Sequence, residues 1–143
     1  MPGQALAHGR EADSQAAALL AARAALDKHA EGVVVMDLRT LSSITDFFVI
    51  CTAESSRQLS ALKDHIEAVL HQHGTSVWHT EGTAVPSGVS PLMPPSQWVL
   101  MDCGDVVVHL FDPHGRNFYR LEELWADAPR VPLSALSSGA SPS

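Results

Sequence analysis

The stretch Trp98–Phe111, WVLMDCGDVVVHLF, decides the fold of this chain because it predicts a β-hairpin. Two apolar runs flank Cys103-Gly104, and glycine at the second turn position supplies the positive φ that a two-residue hairpin turn requires. In this register Asp102 stands opposite Asp105, and successive side chains alternate between the two faces of the hairpin. The stretch therefore predicts two neighbouring strands whose faces differ in chemistry.

One face of the predicted hairpin is aliphatic and the other is mixed. The aliphatic face carries Val99, Met101, Val106, Val108 and Leu110. The mixed face carries Trp98, Leu100, Asp102, Asp105, Val107 and His109. Because unpaired carboxylates are costly to bury, the mixed face is predicted to contact another molecule. His109, opposite Trp98 in this register, is either a group that titrates near neutral pH or a hydrogen-bonded surface histidine.

Length and charge restrict the class of protein. A chain of 143 residues with 45% hydrophobic content is long enough for one domain with a core. The net charge of −7 argues against direct nucleic-acid binding and favours a basic protein or a small ligand as partner. Cys51 and Cys103 are expected to be reduced thiols. Because the sequence contains neither a signal peptide nor a run of about eighteen apolar residues, a soluble cytoplasmic protein is expected, with no membrane partner.

The rest of the chain predicts alternating helices and strands within a domain at residues 14–131. Residues 1–13 are expected to be flexible, and Asp13 or Ser14 to cap a helix that runs to about His29. The further predicted elements are a strand at Val33–Met36 buried on both faces, a strand at Phe47–Thr52, a helix capped by Ser55-Ser56 and ended by Gly74, a weak strand at Ser76–Thr80, a Pro-rich loop insertion at 83–96, a short helix at Asn117–Trp125 and a disordered tail at 132–143.

Three separated motifs resemble the ribosomal silencing factor family, RsfS, also called Iojap-like. They are SSITDFFVICTAESSRQLSAL at Ser42–Leu62, the hairpin stretch at Trp98–Phe111 and FYRLEELWADAP at Phe118–Pro129. The resemblance extends from about Ala21 to Val131. It is specific because the three motifs occur in the order found in the family.

The resemblance implies a fold and a function. The implied fold is α/β (α+β), a single-domain mixed β-sheet with packing helices and a nucleotidyltransferase-like topology. The implied function is that of a non-enzymatic factor without a cofactor. Such a factor binds the large ribosomal subunit through its fourteenth large-subunit protein, and it prevents small-subunit joining when nutrients are scarce. Family members often form homodimers.

The candidate partner-binding residues follow from the hairpin and the short helix after it. They are Trp98, Leu100, Asp102, Asp105, Val107, His109, Tyr119 and Trp125. Two carboxylates that face each other would accept a Lys or Arg from a basic partner beside an aromatic anchor. Packing at the edge of the core is an equally good interpretation of Trp98, and core packing is the better interpretation of Tyr119 and Trp125.

Three positions depart from the family pattern. Ala53-Glu54 replaces a common Gly-Thr, which puts the turn before the second helix in question. Cys103 occupies a turn position often held by Tyr, so one contact on the binding rim is expected to be weaker. The loop at 83–96 is longer than usual and either extends or screens the interface.

Other functions compete with the ribosomal one. A nucleotidyltransferase-like enzyme would use Asp102 and Asp105 to hold Mg²⁺, with Asp37 and Asp46 as further candidates, but no phosphate-gripping motif precedes them. A self-associating module would use the mixed face for a homodimer.

Zinc is disfavoured because the spacing of His65, His71 and His73 does not converge on one helix face, so no metal site is predicted. Arg57-Gln58 begins the second helix and is a weak candidate for holding an anion.

Overall fold

A five-stranded mixed sheet organises the molecule. The structure, a computed structural model, describes the backbone of residues 2–82 and 98–133 and the side chains of residues 14–82 and 98–133. Its elements are α1 (Pro2–Asp27), β1 (Glu31–Asp37), β2 (Phe47–Thr52), α2 (Ser56–Gln72), β3 (His79–Gly82), β4 (Trp98–Asp102), β5 (Val106–Phe111), α3 (Pro113–Tyr119) and α4 (Leu121–Leu124). The strand order is β1-β2-β5-β4-β3, with β2 and β5 parallel and every other pair antiparallel. The predicted mixed α/β sheet is confirmed.

The segment from β2 to α2 follows its prediction closely. β2 has the predicted bounds, and the Ser55 hydroxyl accepts a hydrogen bond from the Gln58 amide at 3.1 Å, as an N-cap does. Gly74 follows the helix with φ +83°. The buried side chains of α2 are Leu59, Leu62, Ile66 and Leu70. Sequence and structure agree here because the caps and the apolar spacing are local features.

The Gln58 side chain joins α2 to the end of α1. Its amide nitrogen donates to the carbonyls of Lys28 and His29, both at 3.0 Å, and its oxygen accepts from the Glu54 amide at 2.7 Å. Gln58 is therefore engaged in structural hydrogen bonds, and the anion-holding interpretation of Arg57-Gln58 gains no support. No positive φ occurs at Ala53 or Glu54, so the turn before α2 does not need the glycine common in the family.

The first helix begins earlier than predicted. α1 starts at Pro2 and passes through Asp13 and Ser14 without interruption, so the predicted cap there is wrong. The Ser14 side chain is buried and its hydroxyl donates to the Asp46 carboxylate at 3.0 Å, which ties α1 to the start of β2. Whether residues 1–13 are flexible stays a prediction. The buried stripe of α1 is made of alanines, Ala17, Ala18, Ala21, Ala22, Ala24 and Ala25, which allow the helix to approach the sheet closely.

Two strand predictions need correction. β1 is an edge strand, and Val33 and Val34 are only half-buried, so the strand is not buried on both faces along its length. β3 begins at His79 rather than Ser76 and pairs with β4 at the opposite edge. Both errors concern sheet edges, whose position is set by long-range pairing. The loop at 83–96 and residues 134–143 of the predicted tail lie outside the described residues.

The predicted helix at Asn117–Trp125 is two short helices. Asp112 caps α3 by accepting from the Gly115 amide at 2.6 Å, and Pro113 occupies its first turn. Arg120 has φ +49° and ψ +50°, which ends α3 and begins α4 in a new direction. The Asp-Pro pair at the start of α3 was a local cue to the earlier start.

The hairpin forms, but its register differs from the prediction by two residues. Leu100 pairs with His109 and Asp102 pairs with Val107, and the turn residues are Gly104-Asp105 rather than Cys103-Gly104. Gly104, at φ +86°, occupies the first central position of the turn, where glycine is also favoured. A shift of two residues keeps each side chain on its predicted face. It separates Asp102 from Asp105, so the predicted facing pair of carboxylates is wrong.

The sheet has two faces, which we name by what they carry. The helix-covered face packs against α1 and α2 and consists of Val35, Phe47, Val49, Cys51, Val99, Met101, Val106, Val108 and Leu110. The aromatic face carries Phe48, Trp98, Leu100, Val107, His109 and Phe111. It is covered only in part, by Leu121, Trp125 and Ala128 of the segment after β5.

Candidate partner-binding surface

Trp98 is the centre of the aromatic face. Its ring centroid lies 5.3 Å from that of Phe111, stacked, and 4.6 Å from that of Tyr119, tilted. Phe111 is fully buried, whereas Trp98 is half-buried and Tyr119 is exposed. The sheet therefore supplies a rigid base for Trp98, and α3 adds a second aromatic ring beside it. Aromatic side chains held in this way lose little conformational entropy when they bind a partner.

His109 lies beneath Trp98 and is 3% exposed. The indole N–H of Trp98 donates to His109 Nδ1 at 3.1 Å, and Nε2 is buried with no hydrogen-bond partner among the described residues. Burial lowers the pKa of His109 to about 3. Titration near neutral pH is therefore not expected, and the surface position that both interpretations of His109 assumed is wrong, although its side chain is hydrogen-bonded. In this conformation the His109 side chain is covered, so any role in partner binding acts through its neighbours.

Leu100 and Val107 extend the aromatic face toward the hairpin turn. Both are half-buried, and neither packs against the two core clusters of the described residues. The register places Leu100 beside His109 and Val107 between Phe48 and Asp102. Partly exposed aliphatic side chains in line with Trp98 make a continuous apolar strip on this face. That this strip contacts a partner stays a prediction.

Asp102 and Asp105 stand at the turn end of this strip. Asp102 accepts a hydrogen bond from the Gly104 amide at 2.8 Å, while the Asp105 backbone carbonyl accepts from the amides of Asp46 and Phe47. Neither carboxylate is paired with a cation among the described residues. The arginines of the C-terminal segment are engaged elsewhere: Arg116 and Arg130 pair with Glu122, and Arg120 pairs with Glu123. Within the part of the chain that the structure describes, the turn therefore carries two carboxylates without a cation partner.

Trp125 belongs to the core side of the aromatic face. Its ring lies 5.9 Å from Phe48 in an edge-to-face arrangement, and it packs against the buried cluster that contains Met36 and Leu38. This supports the core-packing interpretation of Trp125. For Tyr119 the exposed ring beside Trp98 supports a place at the surface.

Several exposed apolar side chains were not among the predicted site residues. Phe118 is 67% exposed and contacts Tyr119 edge to face at 5.0 Å, and Leu124 is 72% exposed on α4. Trp78 is 74% exposed and lies over Gly104 at the end of the hairpin. If the helix had been predicted to begin at Asp112-Pro113, the prediction would have placed Phe118 and Tyr119 together in its last turn. Sequence offered no comparable cue for Trp78, because its position depends on the pairing of β3 with β4.

Cys103 contributes to the core rather than to the binding rim. It is buried, and burial together with the charges of Asp102 and Glu67 raises the pKa of its thiol to about 11. Glu67 lies on α2, so the Cys103 side chain is directed toward the helix-covered face. The predicted weakening of a rim contact by Cys103 is therefore wrong.

The geometry does not favour the enzyme hypothesis. A cleft of about 710 Å³, lined mostly by charged and polar residues, opens near the carboxyl ends of β2 and β5, where Thr52, Pro113 and Arg116 line it. Asp102 and Asp105 lie at the other end of the hairpin and do not line this cleft. The Arg116 guanidinium donates to Glu122, Thr52 and the Gly32 carbonyl, so it holds α3 against β1 and β2. Within residues 14–82 and 98–133, no group of three His, Cys, Asp or Glu side chains is arranged to hold a metal ion.

Fold and surface together are typical of a protein that binds another protein: a partly exposed aromatic and aliphatic strip lies next to two carboxylates that have no cation partner among the described residues. Residues 11–143 match the family model described as ribosomal silencing factor during starvation, RsfS. A ribosomal silencing factor of Halalkalibacterium halodurans is 39% identical over 83% of this chain and 93% of its own. The ribosomal silencing factor of Bacillus subtilis is 37% identical over 80% of this chain and 88% of its own.

A solved structure agrees with this assignment. A Chromobacterium violaceum crystal structure superposes with a TM-score of 0.65 at 30% identity, covering 78% of this chain and 85% of that one. The chain therefore belongs to the ribosomal silencing factor family, as its three motifs indicated. Among the described helices, none has the length and apolar character needed to cross a membrane.

Proposed function

We propose that this protein binds the large ribosomal subunit through its fourteenth large-subunit protein and sterically prevents the small subunit from joining. Translation is then repressed when nutrients are limiting, in the cytoplasm where the ribosomes are. The action requires binding alone, without a cofactor or a chemical step. The observation that carries the proposal is the partly exposed aromatic and aliphatic strip around Trp98, which ends at two carboxylates without a cation partner among the described residues.

The chemistry of this strip fits a basic protein. Trp98 and Tyr119 supply aromatic area of the kind that dominates binding energy at interfaces, and Leu100 and Val107 surround it with apolar contact. Asp102, which lacks a cation partner among the described residues, offers a Lys or Arg a counter-ion at the edge of the strip. Charge complementarity at such a rim accelerates association and selects the partner.

The proposal is tested by subunit reassociation on sucrose gradients with purified large and small subunits. The wild-type protein is expected to comigrate with large subunits and to reduce the fraction of whole ribosomes. Trp98→Ala is expected to lose both effects, because it removes the central anchor. Asp105→Lys is expected to weaken them in a salt-dependent way, since it reverses a rim charge.

The matched control for Asp105→Lys is Asp64→Lys. Asp64 is an exposed acid on α2, away from the aromatic face, so its reversal changes the net charge equally. Retained activity in Asp64→Lys would show that position, not total charge, decides binding. If the wild-type protein does not sediment with large subunits, or if both lysine variants behave alike, the proposal fails.

A homodimer is the second candidate use of this surface. The exposed Phe118 beside Tyr119 and the exposed Leu124 on α4 favour it, because exposed apolar groups of this size often mark contacts between proteins. If one surface serves both purposes, dilution favours ribosome binding. Mass photometry of Trp98→Ala and Phe118→Ala separates the two uses: a change in dimerisation without a change in ribosome affinity assigns different surfaces.

A further inference from the structure

We propose that His109 is a positioning residue for partner binding: its Nδ1 holds the indole N–H of Trp98 inside the protein. Trp98 is then presented as a fixed ring that offers a partner no hydrogen-bond donor. This inference rests on the proposed function, because it concerns the same surface. It assigns a role to a buried polar side chain that direct contact with a partner does not explain.

The tautomer of His109 follows from its contact with Trp98. An indole N–H only donates, so the Nδ1 atom that receives it at 3.1 Å carries no proton. A neutral imidazole then carries its proton on Nε2. This Nε2–H is buried and has no acceptor among the described residues. An unsatisfied buried donor is uncommon and calls for an explanation, and holding Trp98 is the function that the geometry offers.

The surroundings of His109 keep it neutral. Its ring lies 4.4 Å from Phe48 edge to face, and its strand neighbours in the sheet are Ile50 and Leu100. Every one of these groups is apolar. Protonation would also place an Nδ1–H against the indole N–H of Trp98, so two donors would face each other. The acceptor therefore persists across the physiological pH range.

The held indole restricts the chemistry of the partner. Phe111 stacks against Trp98, Tyr119 lies beside it, and His109 occupies its N–H. The partner meets the exposed part of a ring with a fixed orientation. An alkyl chain or the cation of a Lys or Arg satisfies such a ring, whereas a carbonyl seeking the indole N–H does not. This agrees with a basic partner next to Asp102.

The geometry is tested first on the free protein by NMR. Long-range ¹H–¹⁵N spectra of the ¹⁵N-labelled protein at neutral pH distinguish the two tautomers of His109. We expect a protonated Nε2, an unprotonated Nδ1 and an indole N–H of Trp98 that exchanges slowly with water. A proton on Nδ1, or a rapidly exchanging Trp98 indole, overturns the inference without any ribosome in the experiment.

The role in binding is tested with two variants of His109. His109→Asn places a hydrogen-bond acceptor near the position of Nδ1, whereas His109→Leu fills a similar volume without an acceptor. We expect ribosome affinity to fall about tenfold or more in His109→Leu and to be partly restored in His109→Asn. His109→Leu removes the unsatisfied Nε2–H but leaves the indole N–H of Trp98 without its acceptor, so the two changes oppose each other and the free energy of unfolding is expected to change little. Weaker binding in an equally stable protein is not the result of a general loss of structure.

A double-mutant cycle isolates the route through Trp98. Trp98→Phe keeps an aromatic ring but has no N–H for His109 to hold. In that background His109→Leu is expected to have no further effect on ribosome affinity. Additive losses would overturn the positioning role. Ribosome binding unaffected by Trp98→Ala would instead refute the proposed surface, and the NMR result would still decide the geometry, so the two failures are distinguishable.

Discussion

The two faces of one sheet have different tasks, although both begin from the same alternating strands. On the helix-covered face the side chains of Val49, Met101 and Val108 are fully buried against α1 and α2. On the aromatic face the cover is partial and the buried groups include a histidine. One face is buried under two helices, whereas the other leaves the Trp98 ring half-exposed, and we propose that this second face serves partner binding. Substitutions on the helix-covered face are therefore expected to change the free energy of unfolding, and those on the aromatic face are expected to change partner binding.

The largest expected effect on stability comes from the helix-covered face. Leu62 is fully buried on α2, so Leu62→Ala removes apolar contact and leaves a cavity. The expected loss is about 2–5 kcal/mol in the free energy of unfolding, measured by urea denaturation. Protein that remains folded is expected to bind large subunits normally. A selective loss of ribosome binding in folded Leu62→Ala would break the division between the faces.

The next largest effect on stability is expected at Gly104, in the turn that joins β4 to β5. Gly104→Ala places a residue with a side chain at φ +86°, and its Cβ would lie 2.8 Å from the Trp78 ring. We expect a loss of about 1–3 kcal/mol in the free energy of unfolding. Gly74→Ala is the matched control, because Gly74 has φ +83° with open space around it. The excess cost at Gly104 should vanish in a Trp78→Ala background, and an equal cost at both glycines would contradict the contact.

Acid is expected to weaken the contact through which Arg116 holds α3 and Glu122 against β1 and β2. The Arg116 guanidinium, hydrogen-bonded to Glu122 at 2.6 Å, lowers the pKa of that carboxyl in the folded protein. Glu122 therefore contributes stability above its unfolded pKa, and this contribution is lost as pH falls through the lower folded pKa. Thermal unfolding followed across this acidic range should show a steeper loss for the wild type than for Glu122→Gln. Identical slopes would exclude a contribution from this pair.

The smallest expected effect concerns the cysteines. Burial raises the pKa of Cys51 to about 12 and that of Cys103 to about 11. Because the thiolate is the reactive form, both should resist alkylation by iodoacetamide near pH 8 until the protein unfolds. Mass spectrometry across a urea series measures this directly. Rapid modification of Cys103 in the native protein would show that the hairpin end of the helix-covered face opens.

Local sequence patterns predicted much of the fold. The Ser55 cap, the apolar spacing of α2 and the apolar run of β2 depend on neighbouring residues, and each was found where the pattern placed it. The alternation in Trp98–Phe111 predicted which side chains share a face, because a register shift of two residues preserves the face. The start of α3 was missed although Asp112-Pro113 was a local cue, whereas the errors in β1, β3 and the hairpin turn lie where distant parts of the chain decide. Glycine suits either central turn position, so the turn could not be fixed without the pairing of β5 with β2.

The sequence predicted which side chains share the candidate surface, but not how deeply each of them is buried. Trp98, Leu100 and Val107 lie on one accessible strip because alternation alone puts them there. His109 shares that face, but its burial depends on how Trp98, Phe48 and the neighbouring strands pack around it. Trp125 was predicted both as a candidate binding residue and, preferably, as a core contact, and its contacts support the second interpretation. Phe118 was missed because the helix was predicted to start too late. Residue type and spacing thus identify a face, and only packing decides which of its members a partner can touch.

The most direct test of the division between the two faces is site-specific photo-crosslinking on large ribosomal subunits. A photoreactive residue replaces Leu100 on the aromatic face or, in a parallel sample, Glu67 on α2. If the aromatic face binds the ribosome, position 100 is expected to crosslink to one basic large-subunit protein and position 67 is not. Crosslinking from position 67 with none from position 100 would place the partner on the opposite side of the molecule and contradict the account.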